Sequence, residues 1–152
     1  MIEIKTAYDN LETIRDLFRE YSKSLGIDLC FQDFEQELAL LPGKYAEPRG
    51  RLYLAYEDDK AIACIALRPI DDKIGEIKRL YVKPSHRRQG VSKLLAERII
   101  EDARNMGYQR LVLDTIDTMI PAMNLYKALG FVETEAYYPN PLKGATFFAL
   151  DL

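Results

Sequence analysis

Apolar and polar side chains recur along the chain with two different periods, and each change of period marks the end of a structural element. Alternation, or a short apolar run, is typical of a strand, whereas apolar residues three or four positions apart are typical of a helix. Strand patterns occupy residues 2–6, 51–56, 61–68, 76–82, 111–113, 131–136 and 145–152. Helical patterns occupy residues 11–25, 33–41, 90–106 and 121–129.

The lengths of the connections suggest how these elements are arranged. The segments 57–60 and 71–73 are short, polar and turn-like, which favours an antiparallel meander for the strands on either side of them. Residues 111–113 are entirely apolar, which is typical of a strand buried on both faces and parallel to its neighbour. With the long helix before it, this strand predicts a right-handed crossover from strand 76–82. We found no internal repeat and no linker, so residues 1–152 are interpreted as a single mixed α/β domain of the α+β type.

Charge is unevenly distributed along the chain. The 152 residues carry a formal net charge of -3, which disfavours a long nucleic acid as the partner. Residues 73–93, however, contain seven lysines and arginines and only one acidic residue, Glu76. A local basic segment on an acidic protein favours a small anionic ligand.

The scarcity of histidine and cysteine restricts the available chemistry. His86 is the only histidine, and Cys30 and Cys64 are far apart without a CxxC spacing. These counts argue against a metal site, a disulfide framework and Ser-His or Cys-His catalysis. The chain shows no signal peptide and no apolar run long enough to span a bilayer, so we expect a cytoplasmic protein without a membrane partner.

Two segments carry candidate chemistry. Residues 82–92 run from a strand into the long helix and contain Arg87, Arg88, Gly90 and Ser92, which is either an anion site at a helix start or an ordinary basic surface turn. Residues 122–131 contain Tyr126 on an apolar helical face, where it is either a core tyrosine or a functional one.

In this order, the two segments resemble motifs of the GNAT superfamily of N-acetyltransferases. The residues that match are Arg87-x-x-Gly90-x-Ser92 and Ala122-x-x-Leu125-Tyr126-x-x-Leu129-Gly130-Phe131. Ser92 replaces the usual glycine or alanine, and Met119 occupies the position where an asparagine often contacts coenzyme A. Asn124 is the candidate substitute for that contact.

The resemblance implies a fold and a co-substrate. The expected fold has a twisted, mostly antiparallel sheet of about seven strands, with a parallel pair splayed at the cofactor site, and about four helices. Acetyl-CoA would lie with its pyrophosphate on the backbone of Arg88, Gln89, Gly90, Val91 and Ser92. Arg87 and Arg88 would supply charge, and the strand end Leu80, Tyr81 and Val82 would contact the pantetheine arm.

The resemblance also implies an acetyl transfer to an amine by direct attack in a ternary complex. Tyr126 would donate a proton to the departing thiolate. Glu76 is the candidate general base, or else a strand glutamate paired with Lys78 or Arg51. No metal is expected.

The acceptor would enter between the loops 27–32 and 137–144, with Phe31, Arg79 and Tyr138 as candidate substrate contacts. Lys78 and Arg79 suggest a small amine that bears a carboxylate, such as an amino acid or a derivative. Because side chains alternate between the two faces of a strand, only one of these two residues can face the site unless a bulge intervenes. The alternatives are a protein amine as the acceptor, a non-catalytic acyl-CoA-binding module and a structural adaptor. A homodimer is also compatible with the sequence.

Overall fold

A computed structural model describes residues 1–26 and 33–152, and its strands form one mixed sheet. The strands are β1 (Ile2–Thr6), β2 (Arg51–Glu57), β3 (Lys60–Pro69), β4 (Ile74–Val82), β5 (Arg110–Ile116), β6 (Val132–Thr134) and β7 (Ala145–Asp151). Their order in the sheet is β1-β2-β3-β4-β5-β7-β6. The predicted fold class, a mostly antiparallel seven-stranded sheet flanked by helices, is confirmed.

The helices of the described ranges begin and end close to the positions that the sequence predicts. They are α1 (Leu11–Leu25), α2 (Phe34–Ala39), α3 (Val91–Met106) and α4 (Ile120–Ala128). Both ends of α3 are marked by glycines with positive φ, Gly90 and Gly107, a conformation that costs other residues energy. Helix α2 is shorter than the predicted 33–41, because Leu41 precedes Pro42 and a residue before proline is disfavoured in the helical conformation.

The topology is a meander followed by a crossover. Strands β1 to β4 pair antiparallel in sequence order, as the short connections predict. Helix α3 then crosses the sheet and β5 returns parallel to β4, after which β7 and β6 add antiparallel pairs. The predicted parallel strand at 111–113 is therefore confirmed.

Strands β4 and β5 are paired over only part of their length. Ile74, Gly75 and Glu76 pair with Arg110, Leu111 and Val112, and the pairing then stops although both strands continue. The two strands thus diverge beyond Glu76, which opens a gap inside the sheet on the side where α3 begins.

A bulge in β4 lies beside this gap. Lys78 pairs with Ala66 and Tyr81 pairs with Cys64, so that two residues, Arg79 and Leu80, stand opposite Ile65 alone. Arg79 has φ 59, an uncommon backbone conformation for a residue other than glycine. An extra residue in a strand changes the face to which the following side chains point. The bulge lets both Lys78 and Arg79 line one cavity, which the sequence analysis expected only if a bulge interrupted the strand.

Two apolar cores cover the two faces of the sheet. On one face, α3 and α4 pack on β2 to β5 and β7, with Leu95, Ile99 and Phe148 fully buried. On the other face, α1 and α2 pack on β2 and β3, with Phe18 and Leu38 buried. Because each face is anchored by its own core, the position of the gap between β4 and β5 is fixed from both sides.

Candidate functional site

The start of helix α3 presents a row of free amide groups. None of the six consecutive amides of residues 88–93 donates to a backbone acceptor within residues 1–26 and 33–152. The first N–H groups of a helix have no partner within the helix, and they lie at the positive end of its dipole. Such a row of N–H groups fits a phosphate.

Gly90, the residue before α3, leaves space in front of these amides. Its φ is 78, and a Cβ added there would meet no atom within 4 Å. The site therefore has room for a group outside the chain to approach the backbone. Arg88 and Gln89 are exposed on the same turn, whereas Val91 is buried and Ser92 is partly exposed.

Arg87 is held against the end of β4. Its Nε donates to the carbonyl of Val82 at 3.0 Å, and its guanidinium lies 5.8 Å from the centre of the Tyr81 ring. The Tyr81 hydroxyl donates to Glu20 of α1 at 3.2 Å. These contacts fix the turn between β4 and α3 while the Arg87 side chain keeps exposed surface.

A cavity fills the gap between the diverging strands. Its wall is contributed by β4, β5, α1, α4 and the loop between β6 and β7, and among the residues lining it are Lys78, Arg79, Leu80, Asp114, Tyr126 and Asn140. The structure thus brings together Tyr126, Leu80 and Arg79, three of the residues that the sequence analysis selected.

Tyr126 is nearly buried, with 6% of its surface exposed. Its ring packs against Phe131 and Phe148, with centroids 5.7 and 6.3 Å away. Its hydroxyl makes no hydrogen bond to the described residues. Burial raises the pKa of the phenol, and Tyr21 and Asp114 add to the effect, so the group is protonated at neutral pH.

Glu76 lies outside the cavity wall and both of its carboxylate oxygens are engaged. Arg68 Nε donates to one oxygen at 2.8 Å, and the Tyr137 hydroxyl donates to the other, which also lies 3.9 Å from Lys78 Nζ. Of the two alternatives in the sequence analysis, this arrangement favours the paired strand glutamate. Its ion-pair partners are Arg68 and Lys78, of which Lys78 is one of the two that the sequence suggested, while Arg51 lies near Glu47 and Asp102.

Asp114 is an ionisable group of the cavity that the sequence analysis missed. Its Oδ2 accepts hydrogen bonds from the Tyr138 hydroxyl and from Asn140 Nδ2, and its Oδ1 lies 3.8 Å from Lys78 Nζ. Its only signal in the sequence is an acidic residue directly after the apolar run 111–113, just where the buried part of the strand ends.

Lys78 stands between the two carboxylates of this cluster. Its side chain is 4% exposed, and its Nζ lies 3.9 Å from Glu76 and 3.8 Å from Asp114. Burial lowers the pKa of the ammonium, while the charge of Glu76 opposes this effect.

Arg79, a predicted substrate contact, is already paired across the cavity wall. Its Nε and Nη2 donate to the two oxygens of Glu37 on α2, each at 3.0 Å, and the Phe34 and Tyr21 rings flank the guanidinium. The pair raises the pKa of the guanidinium against the opposing effect of burial. A bidentate pair of this kind leaves less of the Arg79 charge for a substrate.

The remaining predicted residues lie around the site. Tyr138 contacts the cavity through Asp114, while Asn124 is exposed on α4 and does not line the cavity. Phe31, Cys30 and the loop 27–32 fall outside the described residues. Cys64 is buried and its thiol donates to the Arg79 carbonyl at 3.3 Å, an environment that raises the pKa of the thiol.

Residues 1–26 and 33–152 contain neither a candidate metal cluster nor a candidate membrane span. In these residues no group of three or more histidines, cysteines or acidic residues is arranged to hold a metal ion. No helix of the same ranges is long and apolar enough to cross a membrane.

Comparison with known proteins connects this geometry to one family. Residues 11–131 match the family model described as the acetyltransferase (GNAT) family. The chain is similar to an uncharacterised N-acetyltransferase of Schizosaccharomyces pombe, with 38% identity over 94% of this chain and 89% of the relative.

Solved structures agree with this match. The fold is similar to that of an acetyltransferase from Streptococcus agalactiae, with TM-score 0.82 and 26% identity over 99% of this chain and 98% of that one. It is also similar to a GNAT family acetyltransferase from Elizabethkingia anophelis with acetyl-CoA bound, with TM-score 0.66 and 25% identity over 100% and 97% of the two chains.

Proposed function

The chain belongs to the GNAT family of N-acetyltransferases, and from that premise we propose that it transfers the acetyl group of acetyl-CoA to the primary amine of a small molecule that also bears a carboxylate. The observation that carries the proposal is the cavity between β4 and β5, which holds a protonated tyrosine and a carboxylate beside the open start of α3. We further propose direct attack by the amine and a cytoplasmic location.

The turn before α3 fits the phosphates of the donor. The free amides of residues 88–93 and the space in front of Gly90 support binding of the pyrophosphate, with Arg88 as an exposed charge partner. The diverging edge of β4, including Leu80, supports a contact with the pantetheine arm, because backbone groups there are not paired with β5. When bound, acetyl-CoA supplies an activated acyl group with a thiolate as the leaving group.

Tyr126 supports the role of proton donor to that thiolate. The hydroxyl carries a proton at neutral pH, as a phenol does, and it has no competing partner among the described residues. Packing against Phe131 and Phe148 fixes the ring, which a proton donor needs in order to act at one defined position.

The attacking amine must lose a proton, and the cavity contains a carboxylate that can take it. Asp114 lines the cavity, and its Oδ2 is oriented by Tyr138 and Asn140, which leaves Oδ1 directed toward Lys78 Nζ. We therefore propose Asp114 as the proton acceptor. Glu76, the candidate from the sequence, is a second proposal, and its engagement by Arg68 and Tyr137 favours a supporting role.

The charges in the cavity wall support an acceptor with both signs of charge. Asp114 favours an amine, and the positive charges of Lys78 and Arg79 favour a carboxylate, with a smaller contribution from Arg79 because Glu37 already pairs with it. Cys64 is buried and is not part of the wall, which supports direct attack over an acyl-enzyme on this cysteine.

An amine panel tests the proposal. Thiol release from acetyl-CoA is measured with amino acids and their derivatives, polyamines, aminoglycosides and a lysine-containing peptide. We expect turnover with the amino-acid group. Turnover only with polyamines or aminoglycosides would reject the carboxylate-bearing acceptor, and turnover only with the peptide would favour the protein-amine alternative.

A binding experiment accompanies the panel. Coenzyme A is expected to raise the melting temperature, because a ligand that binds only the native state stabilises it. No shift would reject the donor site at α3, whereas a shift without turnover of any amine would favour the acyl-CoA-binding module.

A further inference from the structure

Lys78 is a primary amine inside the cavity in which an acceptor amine is proposed to react. Its side chain is 4% exposed, and it lines the same cavity as Tyr126 and Asp114. It belongs to β4, the strand whose unpaired edge is proposed to hold the donor arm. The bulge at Arg79 and Leu80 follows Lys78 directly and fixes the strand at this point.

The charges around Lys78 act on its proton in opposite directions. Glu76 on the same strand and Asp114 on β5 lie 3.9 and 3.8 Å from Nζ, where they stabilise the ammonium and are also the nearest groups that can take its proton, while Arg79 adds a like charge that favours the neutral amine. Burial acts in the same direction as Arg79, because a buried ammonium loses the stabilisation that water gives it. A lysine in these surroundings can become a nucleophile.

We propose that Lys78 is a site of self-acetylation, at which its Nζ takes the acetyl group from acetyl-CoA bound to the same chain when no acceptor amine occupies the cavity. This inference rests on the proposed function, since it uses the same donor and the same proton-transfer groups. It assigns a covalent modification to a residue of the cavity wall.

The residues of the cavity and acetyl-CoA account for every bond and proton of this transfer. A bond forms between Lys78 Nζ and the acetyl carbonyl carbon, and the bond from that carbon to the sulfur of coenzyme A breaks. The lysine ammonium gives up two protons: one passes to Asp114 and on to solvent, and the other ends on the thiolate through Tyr126. The products are Nε-acetyl-lysine and free coenzyme A.

The burial of Lys78 predicts that the reaction occurs within one molecule. An amine with 4% exposure is reached only from inside the cavity, so acetyl-CoA bound to another copy of the chain cannot approach it. The rate constant of the modification is therefore expected to be independent of protein concentration. A good acceptor amine should suppress the modification, because it occupies the position near Asp114.

Acetylation would change the charge of the cavity. It converts the ammonium between Glu76 and Asp114 into a neutral amide and adds volume to a wall residue. Glu76 and Asp114 would then lose a common partner, which is costly for the buried carboxylate of Glu76. We expect the acetylated chain to turn over acceptor amines more slowly than the unmodified chain.

Peptide mapping by mass spectrometry after incubation with acetyl-CoA alone tests the proposal. We expect acetylation of Lys78 to proceed roughly tenfold or more faster than that of the exposed Lys60 in the same digest, because the bound thioester is held next to Lys78. In urea, where the cavity is lost, the two lysines should be modified at similar rates. Lys78→Arg should remove the fast phase, and Tyr126→Phe should slow it.

The outcomes separate this inference from the proposed function. Equal modification of Lys78 and Lys60 in the native chain, with turnover in the amine panel, would overturn the inference and leave the proposed function standing. A bound donor with neither Lys78 acetylation nor amine turnover would overturn both. Fast Lys78 acetylation without turnover of any amine would support the inference and reject the proposed small acceptor.

Discussion

At the scale of single residues, Tyr126 offers the most direct test of the chemistry. Tyr126→Phe removes the hydroxyl and keeps the ring that packs on Phe131 and Phe148. We expect kcat to fall roughly 10²- to 10⁴-fold, the usual contribution of a positioned proton donor, with a smaller change in KM for acetyl-CoA. Steady-state kinetics measure both.

The melting temperature is the control for this variant. It should change little, because no hydrogen bond to the described residues is lost. Full turnover by Tyr126→Phe would leave the tyrosine with a packing role alone.

The two carboxylates beside Lys78, Asp114 and Glu76, can be distinguished by the pH dependence of the rate. Asp114→Asn is expected to flatten the rise of kcat/KM on the acidic side of the profile, because the proton acceptor is removed. Glu76→Gln should keep this acidic limb, the rise of kcat/KM with pH. It should lower the melting temperature, since Glu76 is the buried partner of Arg68 and Tyr137.

The comparison is informative because both variants remove one negative charge from neighbouring positions. A flattened limb in Glu76→Gln with an unchanged limb in Asp114→Asn would return the role of general base to Glu76.

At the scale of elements, the two ends of helix α3 allow a test of the donor site and a matched control. Gly90 and Gly107 flank the helix, both have positive φ, and a Cβ at either would meet no atom within 4 Å. Changing either to alanine should cost a similar stability, about 1–2 kcal/mol, because the left-handed conformation is strained with a Cβ. Only Gly90→Ala should also weaken coenzyme A binding in calorimetry, since its Cβ would occupy the space in front of the free amides.

Gly90→Glu is the stronger form of the same change and should abolish binding, because it adds a carboxylate where phosphates are proposed to lie. Unchanged affinity in a folded Gly90→Glu variant would reject the start of α3 as the donor site.

The charge at this helix start gives a prediction about salt. Arg88→Ala should weaken coenzyme A binding at low ionic strength, and the loss should become smaller at high ionic strength because exposed charges are screened. Arg104→Ala is the matched control, since Arg104 is exposed near the other end of α3. Calorimetric titrations at two salt concentrations measure the difference, and equal effects of the two variants would contradict a specific role for Arg88.

At the scale of the whole molecule, the tyrosines predict the response to alkaline pH. Nine of the ten have a raised pKa, with burial as the largest cause. A raised native pKa means that the folded chain holds protons that the unfolded chain loses above its pKa of about 10. The contribution of these tyrosines to the free energy of unfolding is complete below pH 10 and falls as the pH rises further. For Tyr8 the fall extends over the interval from pH 10.0 to about 12.

Parallel titrations check this prediction. Phenolate absorbance and circular dichroism should change together above pH 10, because most of the tyrosines ionise only when the chain unfolds. Ionisation of the tyrosines at pH 10 with unchanged circular dichroism would contradict the effect of burial.

The sequence by itself determined the elements and their order. Helix ends are local features, set by glycines such as Gly26, Gly90 and Gly107 and by the proline after Leu41. A few residues of sequence are therefore enough to predict them. The parallel strand at 111–113 follows from its apolar run and the helix before it. The two motifs sufficed to recognise the family, because they describe a turn and a helix that are each continuous in the chain.

Only the tertiary structure decided which side chains share the cavity. The bulge that brings Lys78 and Arg79 to one face depends on the register between β3 and β4, and the pair of Arg79 with Glu37 joins residues 42 positions apart. Glu76 is engaged by Arg68 and Tyr137, and Asp114 enters the cavity because β5 diverges from β4. Periodicity reports the face of an element but not its distant partners, and the strength and availability of a buried charge depend on those partners.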